Sequence, residues 1–239
     1  MRRFMSASSI HSPQSSIVAY MASYLDVGCT IYVGGRSETL PLQIARNFGA
    51  EIVRCPSGRH TVLFSIIQKA LVPGDFVVPF GMRPSWPCES FYSTCALQVQ
   101  NIPSNIDTVV VVAGSGVTAT NIAYGLWRYR PTLTNIVLLG VGPDRRKEIV
   151  KVLGLLDRQC AHWVHSKNVL QHYPLNQQPG FRYESPVQFH LGRVALHPLY
   201  EGKAYEWFLR NVSFSRDRTL FWVTGPPLDS SALASTQSH

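Results

Sequence analysis

The sequence predicts an α/β fold, a parallel twisted sheet covered by helices, and three observations carry that reading. Short apolar runs recur along the chain and alternate with amphipathic stretches, the pattern of buried parallel strands joined by helices. Gly28 and Gly49 stand where a helix should stop and a strand begin, while Pro131 closes one helix and Pro143-Asp144 opens another. With 45% hydrophobic residues in 239 and a mean hydropathy of +0.01, the chain can fill one large core or two small ones.

Taken in order, a helix is expected over 15–25, a strand over 30–33, a helix over 41–48 and a strand over 51–54. A helix over 59–71 leads to a strand over 76–79, and a helix over 87–100 to the apolar run at 108–113. Helices over 118–129 and 145–156 flank a strand over 135–141, and a helix over 202–210 precedes a last strand over 219–223. The stretch 160–191, rich in His, Gln, Asn, Pro and Tyr, breaks this rhythm and reads as a surface excursion with its turn at 176–180. The tail after Leu228 has no periodicity and is expected to fray.

No run of about 18 uncharged apolar residues occurs, and the first residues do not form a secretory leader, so a soluble, cytoplasmic protein is expected. Five cysteines, none spaced C-x-x-C, point to free thiols in a reducing compartment. His162, His165 and His172 lack the spacing and carboxylate company of a metal site. The formal charge is +8, and 17 of the 22 basic residues are arginine, the side chain best suited to bidentate phosphate contacts. Arg128, Arg130, Arg145, Arg146, Lys147, Lys151 and Arg158 make the densest positive stretch, either a solvated face or a strip for a polyanion such as nucleic acid.

The run Thr108-Val-Val-Val-Val-Ala113 passes directly into Gly114-Ser115-Gly116-Val117-Thr118-Ala119-Thr120-Asn121, after which helical spacing resumes. Glycines there let backbone amides turn inward, the following helix offers free N–H groups and its positive dipole end, and Ser115, Thr118 and Thr120 add hydroxyl donors. The alternatives are a phosphate cradle and a plain strand-to-helix turn. The three-glycine dinucleotide pattern is not met, since Ala119 stands at its third position, and no Walker lysine follows.

Several segments, in one order, settle on a family. Residues 114–121 resemble the phosphate loop of the fold-type-II pyridoxal-phosphate (PLP) enzymes, the tryptophan synthase beta-like superfamily, in the branch of 1-aminocyclopropane-1-carboxylate deaminase and D-cysteine desulfhydrase. Leu196-His-Pro-Leu-Tyr200-Glu-Gly-Lys203-Ala is similar to that branch's Asp-Pro-Val-Tyr-x-Gly-Lys-Ala, and Leu220-Phe-Trp-Val-Thr224-Gly225 to its Phe-Trp-His-Thr-Gly-Gly. Ser6-Ala-Ser-Ser-Ile-His11-Ser12-Pro13-Gln14-Ser15 and Arg46-Asn-Phe-Gly49-Ala-Glu-Ile-Val53 match two further segments in register.

The resemblance implies a smaller α/β domain over 1–78, a larger one over 79–228 with the phosphate loop, and pyridoxal 5'-phosphate as cofactor. It implies that Gly114, Ser115, Gly116, Val117 and Thr118 hold the phosphate and that Thr224 faces the pyridine nitrogen. Tyr200 and Ser12 become the candidate catalytic residues, Tyr200 against cofactor or substrate and Ser12 near the substrate carboxylate or in proton transfer. No metal is implied.

The pattern also breaks. In the family the lysine that bonds to the cofactor lies upstream of the serine-rich segment, by more than the five residues Met1 to Met5 found here, so an N-terminally shortened chain without that lysine is expected. Pro13 replaces an asparagine that contacts the ring oxygen, and Ser8 and Ser9 replace glycines. One reading is then a homodimeric lyase-type enzyme performing deamination, elimination or decarboxylation on an amine or amino acid. Its amine belongs either to a small molecule or to a modified base in nucleic acid, and the lysine comes from a separate polypeptide, from within this chain, or is dispensed with. Another is a catalytically degenerate binding or scaffold protein of the same fold, and a third a plain nucleic-acid-binding protein.

Overall fold

The computed structural model describes residues 2–84, 88–182, 185–211 and 215–224; the expected tail at 229–239 and Gly225 of the last motif lie outside them. The chain divides at Arg83–Pro84 into two compact units, each an all-parallel four-stranded sheet with helices on both faces. Parallel sheets covered on both sides are what the continuous apolar runs require. No helix among the described residues is long and apolar enough to cross a membrane.

The first unit runs β1 (Arg3–Ser8), α1 (Gln14–Tyr24), β2 (Gly28–Gly34), α2 (Leu40–Asn47), β3 (Glu51–Cys55), α3 (His60–Ala70) and β4 (Asp75–Val78), with strand order β3-β2-β1-β4. Along β1 the side chains alternate. Met5 and Ala7 join Leu63 and Ile67 of α3 in one core, while α1 and α2 pack Val18, Ala19, Ala22, Leu42 and Ala45 against Ile31 and Val33 on the other face. The alternate residues Ser6 and Ser8 are buried polar groups, which is why β1 does not read as a strand in the sequence. Their hydroxyls are satisfied by Gln14 Nε2 at 2.9 Å and Ser15 Oγ at 2.5 Å.

The second unit runs α4 (Glu89–Ala96), β5 (Thr108–Ala113), α5 (Val117–Tyr129), β6 (Asn135–Gly140), α6 (Arg146–Leu156), α7 (Arg158–Ser166), β7 (Leu170–Pro174), a short antiparallel pair β8 (His190–Leu191) and β9 (Val194–Ala195), α8 (Glu201–Arg210) and β10 (Thr219–Trp222). Its sheet has the order β10-β5-β6-β7. Val109, Val111, Ile136 and Leu138 face a core with α4 to α7, and Val110, Val137 and Leu139 face Ala204, Trp207 and Phe208 of α8.

The expected excursion at 160–191 is corrected here: its first third completes a helix and its middle supplies an edge strand. In α7 the buried residues Cys160, Trp163 and Val164 recur at helical spacing beneath a polar outer face. The Asp157 carboxylate caps it, accepting from Gln159 N–H at 2.8 Å and Cys160 N–H at 3.1 Å. In β7 Gln171, His172 and the terminal Pro174 fit an edge strand, which pairs on one side alone.

Candidate active site

In each unit the strand order reverses beside the first strand, and the candidate residues gather there. β5 precedes β6 and β7 on one side while β10 returns on the other; β1 likewise precedes β2 and β3 on one side, with β4 on the other. Such a reversal sends successive connections to opposite faces and leaves a crevice at the carboxyl ends of the strands, the usual ligand site of open α/β sheets.

At the first crevice the chain leaves β5 through Gly114, Ser115 and Gly116 and enters α5. Gly116 takes φ 84°, the left-handed region, and a β-carbon there would meet Arg145 Cβ at 3.2 Å and Ile149 Cγ1 at 3.3 Å. The first helical bond of α5 runs from Thr120 N–H to Gly116 O at 2.9 Å, so the amides of Val117, Thr118 and Ala119 precede the ladder at the positive end of the helix. Ser115 and Thr118 are half-buried beside them. The expected donor role of Thr120 is corrected: its hydroxyl is buried and donates to Gly116 O at 2.9 Å, one helical turn back. Arg145 supports the loop from behind, its Nε donating to Gly114 O at 3.1 Å and its guanidinium pairing with Glu148 at 2.9 Å.

On the other side of the crevice, Trp222 pairs with Val111, so Thr224 leaves β10 level with Ala113. Its hydroxyl donates to the Glu201 carboxylate. Glu201 opens α8, is only 3% exposed, and burial pushes its carboxyl above the usual range against the pull of the Thr224 hydrogen bond. This buried acid escaped the sequence reading, although it occupies the variable position of the Tyr200-Glu-Gly-Lys203 motif. Tyr200 stands immediately before α8 with its ring stacked on His197 at 4.5 Å. The rest of the motif clamps the chain: a β-carbon at Gly202 would lie 2.2 Å from Val187 O, and Lys203 Nζ donates to Arg182 O at 2.6 Å.

Further along the same strand ends, Arg146 holds the Asp144 carboxyl down at about 2. Burial lowers the nearby His172 imidazole, whose buried Nε2 makes no hydrogen bond.

In the first unit, Ser12 and Gln14 lie at the corresponding reversal. Ser12 Oγ accepts from Gln14 N–H at 3.2 Å, closing the turn into α1. Gln14 is the organising residue: its Nε2 donates to Ser6 Oγ and to Pro79 O at 3.2 Å, and its Oε1 accepts from Gly81 N–H at 2.9 Å. One buried amide thus joins the end of β1, the start of α1 and the turn after β4.

Comparison with known proteins agrees with this fold. A family model described as "Pyridoxal-phosphate dependent enzyme" matches residues 4–164. The chain is 23% identical over 278 residues to an "O-seryl-dTMP PLP-dependent decarboxylase" of Salmonella phage ViI, with 90% of this chain aligned. It spans 66% of that relative, just under two thirds of its length. Among solved structures it is similar to an ACC deaminase homologue, with TM-score 0.65 and 17% identity over 99% of this chain and 78% of the other. A threonine deaminase isoform from Solanum lycopersicum has TM-score 0.55 and 13% identity over 98% and 68% of the two chains. An L-serine ammonia-lyase from Rhizomucor miehei has TM-score 0.56 and 12% identity over 98% and 82%. At these identities the solved structures speak to the fold, which is the two-sheet α/β arrangement expected from the sequence.

Proposed function

Since the chain belongs to the pyridoxal-phosphate dependent enzyme family, whose cofactor is pyridoxal 5'-phosphate, we propose that it is a lyase-type enzyme that decarboxylates an amino acid carried on a nucleotide. Deamination and elimination on an amine or amino acid are the other reactions open to the same site. The observation that carries the reading is the cradle between β5 and α5, set at a sheet reversal.

The residues present fit the phosphate end of the cofactor. Gly116 admits the left-handed turn that leads from β5 into α5, and the leading amides of α5 with the Ser115 and Thr118 hydroxyls supply neutral donors at a positive helix end. When bound, the cofactor ring supplies an electron sink for the carbon that loses its substituent. Thr224 and Glu201 form the hydrogen-bonded pair assigned to the ring nitrogen, with the burial-raised Glu201 carboxyl able to hold a proton there. Tyr200 Oη is assigned proton transfer at the reacting carbon, and its stacking on His197 fixes the ring. Ser12 Oγ is assigned to the substrate carboxylate or to a proton.

A nucleotide within DNA is the substrate form favoured by charge. Along α6 and α7 the acids are engaged, Glu148 by Arg145 and Asp157 by the α7 amides, while Lys147, Lys151, Arg158 and Lys167 are exposed. The five cysteines are all free thiols, in keeping with a reducing, cytoplasmic compartment.

One observation favours a second reading, that of a non-catalytic binding protein. Of the five lysines only Lys203 is buried, and its amine is held by a backbone carbonyl. A separate polypeptide that supplies the cofactor lysine would reconcile this with catalysis.

The test is titration with PLP followed spectroscopically, then addition of DNA carrying O-seryl-modified thymidine, with carbon dioxide loss read by mass spectrometry. Bound, amine-responsive cofactor and loss of the carboxyl group are expected. Protein that leaves the PLP spectrum unshifted, with or without amines, would sink the enzyme reading. Borohydride reduction with peptide mapping identifies any lysine used, and DNA binding insensitive to salt would remove the nucleic-acid form.

A further inference from the structure

The carboxyl ends of β2 and β3 carry arginines that no role assigned so far uses. Gly34 ends β2, Gly58 lies just past β3, and their backbones touch: a β-carbon on Gly34 would stand 2.2 Å from Gly58 Cα. This approach sets the loop that carries Arg36 against the loop that carries Arg59, and both side chains are exposed. Arg54, half-buried at the end of β3, braces the first loop on either side of Arg36. Its Nη1 donates to Gly35 O at 3.2 Å and Ser37 O at 3.1 Å, and its Nη2 to Glu38 at 2.7 Å. From Gly34 to His60 the chain holds four arginines and two acids. Glu51 stands at the opposite end of β3 and accepts from Thr30, while Glu38 is shared by Arg46 and Arg54. Among the described residues Arg36 and Arg59 have no acidic partner, and the first turn of α3, which follows Arg59, contains no acid. Like charges gathered without a counter-charge repel one another, and an anion placed between them relieves that repulsion. The Ser57 hydroxyl accepts from Arg59 N–H at 3.2 Å and keeps its own proton to donate.

We propose that Arg36 and Arg59, braced by Arg54, hold a phosphate of the nucleotide substrate, either the phosphomonoester of a free nucleotide or a phosphodiester of DNA. The inference rests on the nucleotide reading of the function and adds to it where the nucleotide is gripped. The same loop is joined to the turn that carries Ser12. Thr39 donates its hydroxyl proton to Ile10 O, a β-carbon on Gly35 would lie 3.8 Å from Ile10 Cδ1, and Ser12 N–H donates to Ser9 O at 3.0 Å. An amino acid carried on a nucleotide has two anionic ends, a carboxylate and a phosphate. The rim of the first unit has a place for each, the Ser12 turn and the arginine pair. Guanidinium groups suit the second, because their forked donors match a phosphate's oxygens and add the charge that the neutral donors of the α5 cradle lack. The pair is therefore a specificity device, favouring a substrate that bears a phosphate over a simple amino acid.

The test is calorimetric titration of the full chain with thymidine monophosphate and with a thymidine-containing duplex, on wild type, Arg36→Gln/Arg59→Gln and Lys147→Gln/Lys151→Gln. The arginine variant should bind at least about tenfold more weakly, the loss expected for two charged hydrogen-bonding groups. With the duplex, the slope of log affinity against log salt should also fall by about 1, for one phosphate released. Loss with thymidine monophosphate marks the free nucleotide as the source of the phosphate, and loss with the duplex alone marks DNA. PLP affinity, read by spectral titration, should be unchanged in the arginine variant. Binding of neither probe overturns the proposal, as does a loss confined to the lysine variant, or an arginine variant that loses PLP affinity to the same extent. Should that variant fail to fold, as judged by circular dichroism, Arg36→Glu alone decides on the same readouts. The site and the activity fail separately. Decarboxylation with a KM that ignores the arginine substitutions removes the site and leaves the enzyme reading, whereas arginine-dependent nucleotide binding without any PLP spectral shift keeps the site and removes the enzyme.

Discussion

Thr224 donates its hydroxyl proton to Glu201, tying the chain two residues past β10 to the first turn of α8. The bond is made to a carboxyl whose charged form burial disfavours. A folded-state pKa raised above its unfolded value means stability is complete below the unfolded value, near 4.5, and declines as pH rises through the folded one. Glu201→Gln keeps an acceptor for Thr224 and removes the ionisation. Its melting temperature should therefore match wild type near pH 4 and exceed it by a few degrees at pH 8. Thermal denaturation across that range checks this; a variant less stable at pH 8 than at pH 4, relative to wild type, would show that the charged form is the stabilising one.

Gly116→Ala should damage the cradle and the fold together. A side chain at φ 84° costs about 1–2 kcal/mol, and the new methyl presses on Arg145 and Ile149. A fall of about 2–8 °C in melting temperature is expected. Phosphate and PLP affinity should fall as well, read by spectral titration, because the amides that follow Gly116 lose their aim.

What could be read from the sequence follows where burial is apolar. The four valines of β5 announce a strand covered on both faces, and the glycines after it announce the turn into α5. β1 was hidden because Ser6 and Ser8 are buried by virtue of partners, Gln14 and Ser15, that lie beyond the strand. α7 was hidden because its three buried residues are outnumbered by polar ones, and β7 because an edge strand tolerates Gln, His and Pro. Within the site, Thr120 misled for a local reason: at the fourth helical position its hydroxyl reaches back to Gly116 O and not out to a ligand. Glu201 could not be recognised as a buried acid, since nothing local to it encodes the arrival of Thr224.

Asp157 should prove a structural hinge between α6 and α7. Its carboxylate accepts two amides of α7 and the Trp127 indole N–H at 3.1 Å. Asp157→Ala removes all three acceptor contacts and should cost about 1–3 kcal/mol in urea denaturation. Asp157→Asn retains an acceptor oxygen and should recover at least half of that loss. Equal losses for both variants would assign the role to charge alone.

Lys203 is the residue on which the catalytic question turns. Its side chain is 2% exposed, burial pushes its amine below the usual lysine value, and its Nζ is committed to Arg182 O. Gly202 beside it admits the Val187 carbonyl, so the two residues together hold Arg182 and Val187 against α8. That arrangement makes Lys203 a structural clamp. Lys203→Met fills the same volume without the amine; it should make the chain at Arg182 easier to cut in limited proteolysis while the PLP absorbance persists unchanged. A variant that keeps its protease resistance but loses the cofactor spectrum, with the borohydride-reduced wild type labelled at Lys203, would instead make this lysine the anchor.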